Sequence, residues 1–491
     1  MSEETGFARI VEREQGLRHT LGAGRLTMIA IGGAIGTGLF LGSAFAIGIA
    51  GPAVLISYAI GAVIALLLMG CLAEMTVAHA TSGSFGAYAE YYVGPLAGFL
   101  VRYAYWTCIV LAVGTEVTAV ALYMRLWFPQ VAGWVWIVGF SALLILVNAR
   151  SVTVFGAVEY WFSAIKIAAI LAFIALAAYV LWHGRAAGAA PAMGFSNYWT
   201  HGGFFAHGLW GMWVAVILAI FSYLSIEMIA VAAGEAAQPQ RAVIRAFRAT
   251  LLRLIVFYIA TLALILALVP WNLVGVEESP FVKVLRALAV PGAAAIFNCV
   301  LLIAALSAMN SQLYITTRMM FSLARAGYAP RRFGELSNRG VPLQALALSS
   351  LGIALAAALS VSGARSAYIL MVSIASFGAM FTWMMIFVTH YFFRRARGAP
   401  AAPFHMRGFP YTTLMGASLM AAVLLTTAFT DAFRLTLVFG LPFIAALCLV
   451  YRYKFRPERD RSLGTSSARA APLLDESQEG ARTVNGAQTP E

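Results

Sequence analysis

The stretch "AIGGAIGTGLF", residues 30–40, decides how the chain is read. It places four glycines and a threonine in eleven residues of an otherwise apolar run. Glycine loses the most backbone freedom on ordering and is a poor helix former. One stripe of small residues, Gly32 and Gly36, would serve close helix packing, but Gly33 and Gly38 fall on other faces. The pattern predicts a span that unwinds near its middle. A second interruption, "FSYLSIEMIAVAAGE" (221–235), sets two serines and Glu227 in another apolar run. A carboxylate at membrane depth is costly and faces a cavity or a partner. Paired interruptions at corresponding positions of two halves point to a transporter site between inverted repeats.

The surroundings make both runs membrane spans. Of 491 residues, 61% are hydrophobic and only 11% charged, too little charge for a soluble surface. A bilayer core of roughly 30 Å takes about 20 apolar residues per helix. Twelve runs meet that length, near 26–48, 52–78, 96–126, 134–150, 156–182, 207–234, 249–270, 291–324, 343–361, 366–393, 409–430 and 433–453. They predict an all-α membrane domain over 26–453, after a cytoplasmic N-terminal segment (1–25) and before a disordered cytoplasmic tail (454–491). With both termini inside, inside segments hold twenty-four Lys and Arg and outside segments six, as the positive-inside rule requires. That asymmetry accounts for the net charge of +13 without a nucleic acid partner. The four cysteines lie in predicted spans and read as buried packing residues, with no metal-ligand spacing. No nucleophile–base constellation or phosphate-binding loop argues for an enzyme or ATP coupling.

An unwound helix exposes backbone N–H groups and the positive end of a dipole, which suit a carboxylate. Exposed carbonyls at the other break suit an ammonium, so the pair fits an amino acid zwitterion. Lys166 lies about 15 Å into span five at 1.5 Å per residue, far for snorkelling to the headgroups. Glu116 is the other deep carboxylate and is read as a structural pairing, with a pathway or gate role as the alternative; Glu227 is also a possible gate or pathway group. Glu74, Glu159 and Glu235 read as gate or ion-pair residues, available to Arg102 and Arg318. "HATSGSFGAYAEYYVG" (79–94) predicts a turn, a cap at Ser82–Ser84 and a short helix lying at the membrane interface.

The motifs "GGAIGTGLFLGSAFAI" (32–47), "LAEMTVAHATSGSFGAYAEYYVGPLAGF" (72–99), "EYWFSAIKIAAIL" (159–171), "FSYLSIEMIAVAAGEA" (221–236) and "ALSAMNSQLYITTRMMFSLARAGYAP" (305–330) occur in order. In these the chain resembles amino acid permeases of the amino acid–polyamine–organocation superfamily, specifically the bacterial amino acid transporter branch. The resemblance implies the leucine-transporter fold, with five-plus-five inverted repeats (about 26–182 and 207–393) and two further helices (about 409–453). It implies amino acid uptake across the cytoplasmic membrane with the proton as coupling ion and no cofactor. It places the substrate carboxylate at Ala34, Gly36, Thr37 and Gly38, the amino group and side chain at Phe221, Ser222 and Leu224, and proton coupling at Lys166. Relatives often carry glycine where this chain has Leu224 or Ser225. The apolar Phe221, Leu224 and Ile226 lead us to expect a neutral substrate. Alternatives of the same fold are an amino acid or amine exchanger, a cationic amino acid permease and a non-transporting sensor.

Overall fold

The computed structural model describes residues 3–17, 24, 28, 35–183, 193–236, 239–275, 278–288, 291–360, 364–396 and 404–455. Ala34, most of the first expected span before Ile35, and the tail from 456 lie outside the described residues. Every described regular element is helical. Helix α1 (Glu3–Arg13) precedes a π-helical turn, Gly38–Gly42, that runs into α2 (Ser43–Ala50). Then come α3 (Val54–Ala78), α4 (Ser84–Tyr92), α5 (Pro95–Met124), α6 (Gly133–Arg150) and α7 (Val152–His183). The chain continues through α8 (Gly208–Tyr223), α9 (Met228–Ala232), α10 (Pro239–Arg253), α11 (Thr261–Leu268), α12 (Pro280–Ala287) and α13 (Ala293–Arg325). The last helices are α14 (Leu343–Ser349), α15 (Leu351–Ser360), α16 (Ala364–Arg395), α17 (Tyr411–Thr426) and α18 (Arg434–Val450). Residues 1–441 form one compact unit and 442–491 a second. The described part of the second is the end of α18 and a π-helical turn, Tyr451–Phe455.

Nine helical runs among the described residues are long and apolar enough to cross a membrane. The expected spans one and two fall, where described, in a single run, Gly38–Ala78. Expected spans seven and nine are the shorter apolar stretches Ile255–Leu268 and Leu343–Leu359. Helices α5 and α13 are long and well enclosed, with α5 packed against both α13 and α16. Their windows are 89% and 61% buried, against 22% for α6 and α7. Helices so apolar along their whole length can face either protein or lipid, so burial, not sequence, distinguishes the central pair.

Two expectations change. Helix α4 does not lie on the surface: Ser84 through Glu90 are all buried, and no side chain caps it. Its aromatics pack inside the protein, Phe85 against Tyr105 at 4.7 Å. The cysteines are not all buried either; Cys71 and Cys108 are, but Cys299 is exposed and Cys448 half-buried.

Candidate functional site

Both predicted interruptions are present, and they touch. Ile35 and Gly36 are non-helical, and Gly38 opens the π-helical turn. Helix α8 stops at Tyr223, residues 224–227 form a turn, and α9 resumes at Met228. Ser225 there has φ +77°, the left-handed region that glycine enters freely and serine only under constraint. This is the physical reason a glycine suits the neighbourhood of Leu224 and Ser225. Ser222 Oγ donates to the Gly38 carbonyl at 2.8 Å, and Tyr258 Oη donates to the Ser222 carbonyl at 3.0 Å. Tyr58 Oη lies 2.9 Å from Ser222 Oγ. At Gly38 a Cβ would come within 2.7 Å of Ser222 Cα. The two breaks therefore meet backbone to backbone, and only glycine permits it.

A small cavity lies at this junction, walled by Gly36, Gly38, Phe221, Ser222 and Leu224 with Glu116, Ala308 and Gln312. Its free volume is about 10 Å³, room for no more than one water, so an amino acid enters only when the walls part. Glu116, read as a structural pairing with a pathway or gate role as the alternative, stands on the cavity wall. Its carboxylate accepts the Thr37 backbone N–H at 3.2 Å, one of the donors exposed by the first break. Among the described residues, Thr37 Oγ1, Ser225 Oγ and Gln312 Oε1 are buried and have no hydrogen-bond partner. Buried polar atoms are seldom left so, and these belong to the breaks and the cavity wall. Sequence reading missed Ala308 and Gln312. The signal available was the polar run Ser307, Asn310, Ser311, Gln312 inside an apolar span.

Lys166 is fully buried. Its Nζ donates to the Ile35 carbonyl at 3.0 Å and to Ser307 Oγ at 2.7 Å. The first break thus supplies the carbonyl, and no snorkelling occurs. Ser307 Oγ passes its own hydrogen to Glu159 Oε1 at 2.6 Å, and Asn310 Nδ2 donates to Glu159 Oε2 at 3.2 Å. Glu159, expected as a gate or ion-pair residue, lies one hydroxyl away from the buried lysine. Glu227 is held off the cavity wall: it accepts Tyr105 Oη at 2.7 Å, the Ser225 N–H at 3.1 Å and Trp383 Nε1 at 3.1 Å. Its bond to the Ser225 N–H lies within the turn of the second break.

The site sits midway between two dissimilar ends. Toward the C-terminal end of α5 and the N-terminal end of α13 opens a cavity of about 810 Å³, lined by Tyr123, Arg125, Asn298, Lys283, Arg286 and Tyr368 among others. The opposite end is closed by buried ion pairs. Arg318 Nε donates to Glu235 Oε1 at 2.8 Å, as does Tyr314 Oη at 2.8 Å. Arg102 departs from expectation, pairing with Glu14 and Glu90 rather than with Glu74, Glu159 or Glu235. Glu74 pairs with Arg394 at 3.0 Å. Burial acts to raise the Glu90 carboxyl, but the guanidiniums of Arg102 and Arg13 outweigh it and hold it below its ordinary 4.5. The pairs that Glu90 makes therefore contribute at neutral pH and are lost only as pH falls through that lowered value. Removing one member of a buried pair strands the other charge. Arg318→Ala is expected to destabilise the protein by about 3–5 kcal/mol, read as a lowered melting temperature in detergent; an unchanged melting temperature would show that Glu235 finds another partner.

The amino acid permease family profile matches residues 25–461. This chain belongs to the amino acid permease family. An uncharacterized amino acid permease of Bacillus subtilis, YtnA, is 37% identical over 445 residues, covering 90% of this chain and 96% of that one. A γ-aminobutyric acid permease of the same organism is 36% identical over 426 residues, covering 86% and 90%. Among solved structures, a manganese transporter of Eremococcus coleocola superposes with a TM-score of 0.57 at 15% identity, covering 88% of this chain and 93% of that one. That likeness concerns the fold alone. Among the described residues of this permease, no group of three or more His, Cys, Asp or Glu side chains could hold a metal ion. The family is one of transporters, not enzymes, and implies an amino acid substrate and a multi-pass membrane location.

Proposed function

We propose that this permease imports a neutral amino acid across the cytoplasmic membrane by proton symport with alternating access. The observation that carries the reading is the contact of two broken helices around one buried cavity, walled by Gly36 and Gly38 of the first break and by Phe221, Ser222 and Leu224 at the second. In this reading the first break receives the substrate carboxylate, Ser222 and the second break receive the ammonium, and Phe221, Leu224 and Ala308 enclose the side chain. Lys166 couples the proton: in its charged form it donates to the Ile35 carbonyl, and loss of the proton removes the charge that strengthens this bond and so loosens the first break. The twelve-span topology, the five-plus-five repeats with two added helices, and cytoplasmic termini belong to the same proposal. They are supported by the helix order, the fold likeness and the distribution of basic residues.

The proposal is tested in proteoliposomes by uptake with and without an inward proton gradient, under competition from a panel of amino acids. Gradient-dependent accumulation supports symport. Uptake that needs an internal counter-substrate and ignores the gradient supports exchange, and binding without transport supports a sensor. A second substrate reading has its own observation, since Glu116 stands on the cavity wall and would pair with a cationic side chain. Alanine, serine, leucine or phenylalanine is expected to compete better than arginine or lysine. The reverse order would replace the neutral substrate with a cationic one.

A further inference from the structure

Glu14 sits in a carboxylate site of unusual completeness. It follows α1 directly and is buried, although charged residues near a chain terminus are ordinarily solvated. Its Oε1 accepts Arg102 Nη2 at 3.2 Å and Ser322 Oγ at 2.8 Å. Its Oε2 accepts Thr81 Oγ1 at 2.8 Å and the Gly83 N–H at 2.7 Å. Arg102 Nε in turn donates to Ser322 Oγ at 2.9 Å, and the guanidinium reaches Glu90 at 2.9 Å. The neighbouring Arg13 donates to Glu90 Oε1 at 3.0 Å. Hydrogen bonds to ionised partners are the strong ones, and here the donors come from three separate parts of the fold.

The remainder of the segment is shaped to dock. Phe7, Ile10, Glu14 and Leu17 are buried while Ala8, Arg9 and Glu12 are exposed, so one face of α1 and its extension meets the protein. Phe7 stacks on His79 with centroids 4.1 Å apart and meets Tyr91 edge-on at 5.4 Å. Arg325 Nη2 donates to the Gln15 carbonyl at 3.2 Å. The partners of Glu14 have a functional meaning. Arg102 lies on α5 and Ser322 on α13, the helices that carry Glu116, Ala308 and Gln312 to the cavity. From Arg102 to Glu116 is about 21 Å along α5 at 1.5 Å per residue. Glu14 therefore pins together two helices that wall the cavity.

We propose that the N-terminal segment Glu3–Leu17 is a removable plug of the closed mouth, with Glu14 as the carboxylate that fits the receptor formed by Arg102, Ser322, Thr81 and Gly83. When the segment is docked, the substrate cavity is reachable only from the large vestibule; when it leaves, α5 and α13 are free to part. Assigning this mouth to the cytoplasm rests on the topology proposed above. Gly83 supplies a clean way to disturb the plug. Its φ of −74° is open to any residue, but a Cβ there would collide with both Glu14 carboxylate oxygens.

The test uses the full chain with its four cysteines replaced and one probe cysteine, Gln312→Cys, on the cavity wall. Labelling by a membrane-impermeant maleimide is followed in inside-out and right-side-out vesicles. Glu14→Gln and Gly83→Ala are each expected to raise the labelling rate in inside-out vesicles roughly tenfold, as loss of a charge-assisted hydrogen bond would. Glu14→Asp is expected to restore part of the protection. Unchanged labelling in well-folded Glu14→Gln and Gly83→Ala proteins would overturn the plug. Should Glu14→Gln fail to fold, Gly83→Ala decides alone, because it alters no charge. A rise confined to right-side-out vesicles would support the plug and overturn the orientation.

Discussion

Lys166→Ala is expected to abolish accumulation against a gradient while leaving exchange of substrate across the membrane. A pH difference of one unit, coupled one proton to one substrate, sustains a roughly tenfold concentration ratio; in the variant the ratio should fall to one. The reason is local. The ammonium is the donor that ties the Ile35 carbonyl of the first break to Ser307 of α13 and, through that hydroxyl, to Glu159. With the amine gone, the broken helix loses the titratable group that makes its release depend on protonation. Counterflow and net uptake are measured in the same vesicles, so a folding defect, which removes both, is told apart from uncoupling, which removes one. Wild-type accumulation by Lys166→Ala would end the coupling proposal.

The second large effect concerns the glycines at the junction. Gly38→Ala is expected to lower substrate affinity more than tenfold, and Gly38→Val to abolish binding. The added Cβ would lie 2.7 Å from Ser222 Cα and 3.3 Å from Ser222 N, and backbone atoms of a second helix cannot turn aside as a flexible side chain would. A β-branched residue adds resistance to unwinding. At Gly36 a Cβ would stand 2.7 Å from both Glu116 Oε1 and Ala308 Cβ, so Gly36→Val should fail for a different reason, by displacing the cavity wall. Gly48→Ala is the control: nothing lies within 4 Å of its Cβ position, and the change should be neutral or slightly stabilising, by up to about 1 kcal/mol. Binding is measured on monodisperse protein. Unchanged affinity in Gly38→Ala would mean that the breaks do not form the substrate site.

What the sequence determined by itself was whatever depends on neighbours in the chain. Apolar run lengths marked an all-helical membrane domain, and α5 and α13 begin and end within two residues of the expected limits. Gly36 and Gly38, and the serines with Glu227, marked both interruptions, because poor helix formers and buried polar groups act on the backbone that carries them. Lys166 was legible as a buried cation from its depth alone. Its partners were not: Ile35 is 131 residues away and Ser307 is 141. Nor could apolar composition distinguish the enclosed α5 from the largely exposed α6, or assign α4 to the interior. Glu116 and Glu227 look alike in sequence, yet one stands on the cavity wall and the other is fastened to Tyr105 and Trp383. Glu14 carried no signal, because a carboxylate in a polar N-terminal segment becomes a buried ligand only when Arg102, Thr81, Gly83 and Ser322 are brought around it. Helix formation is decided over a few turns of chain, whereas the environment of a charge is decided by the helices packed around it, and that packing exists only in the tertiary structure.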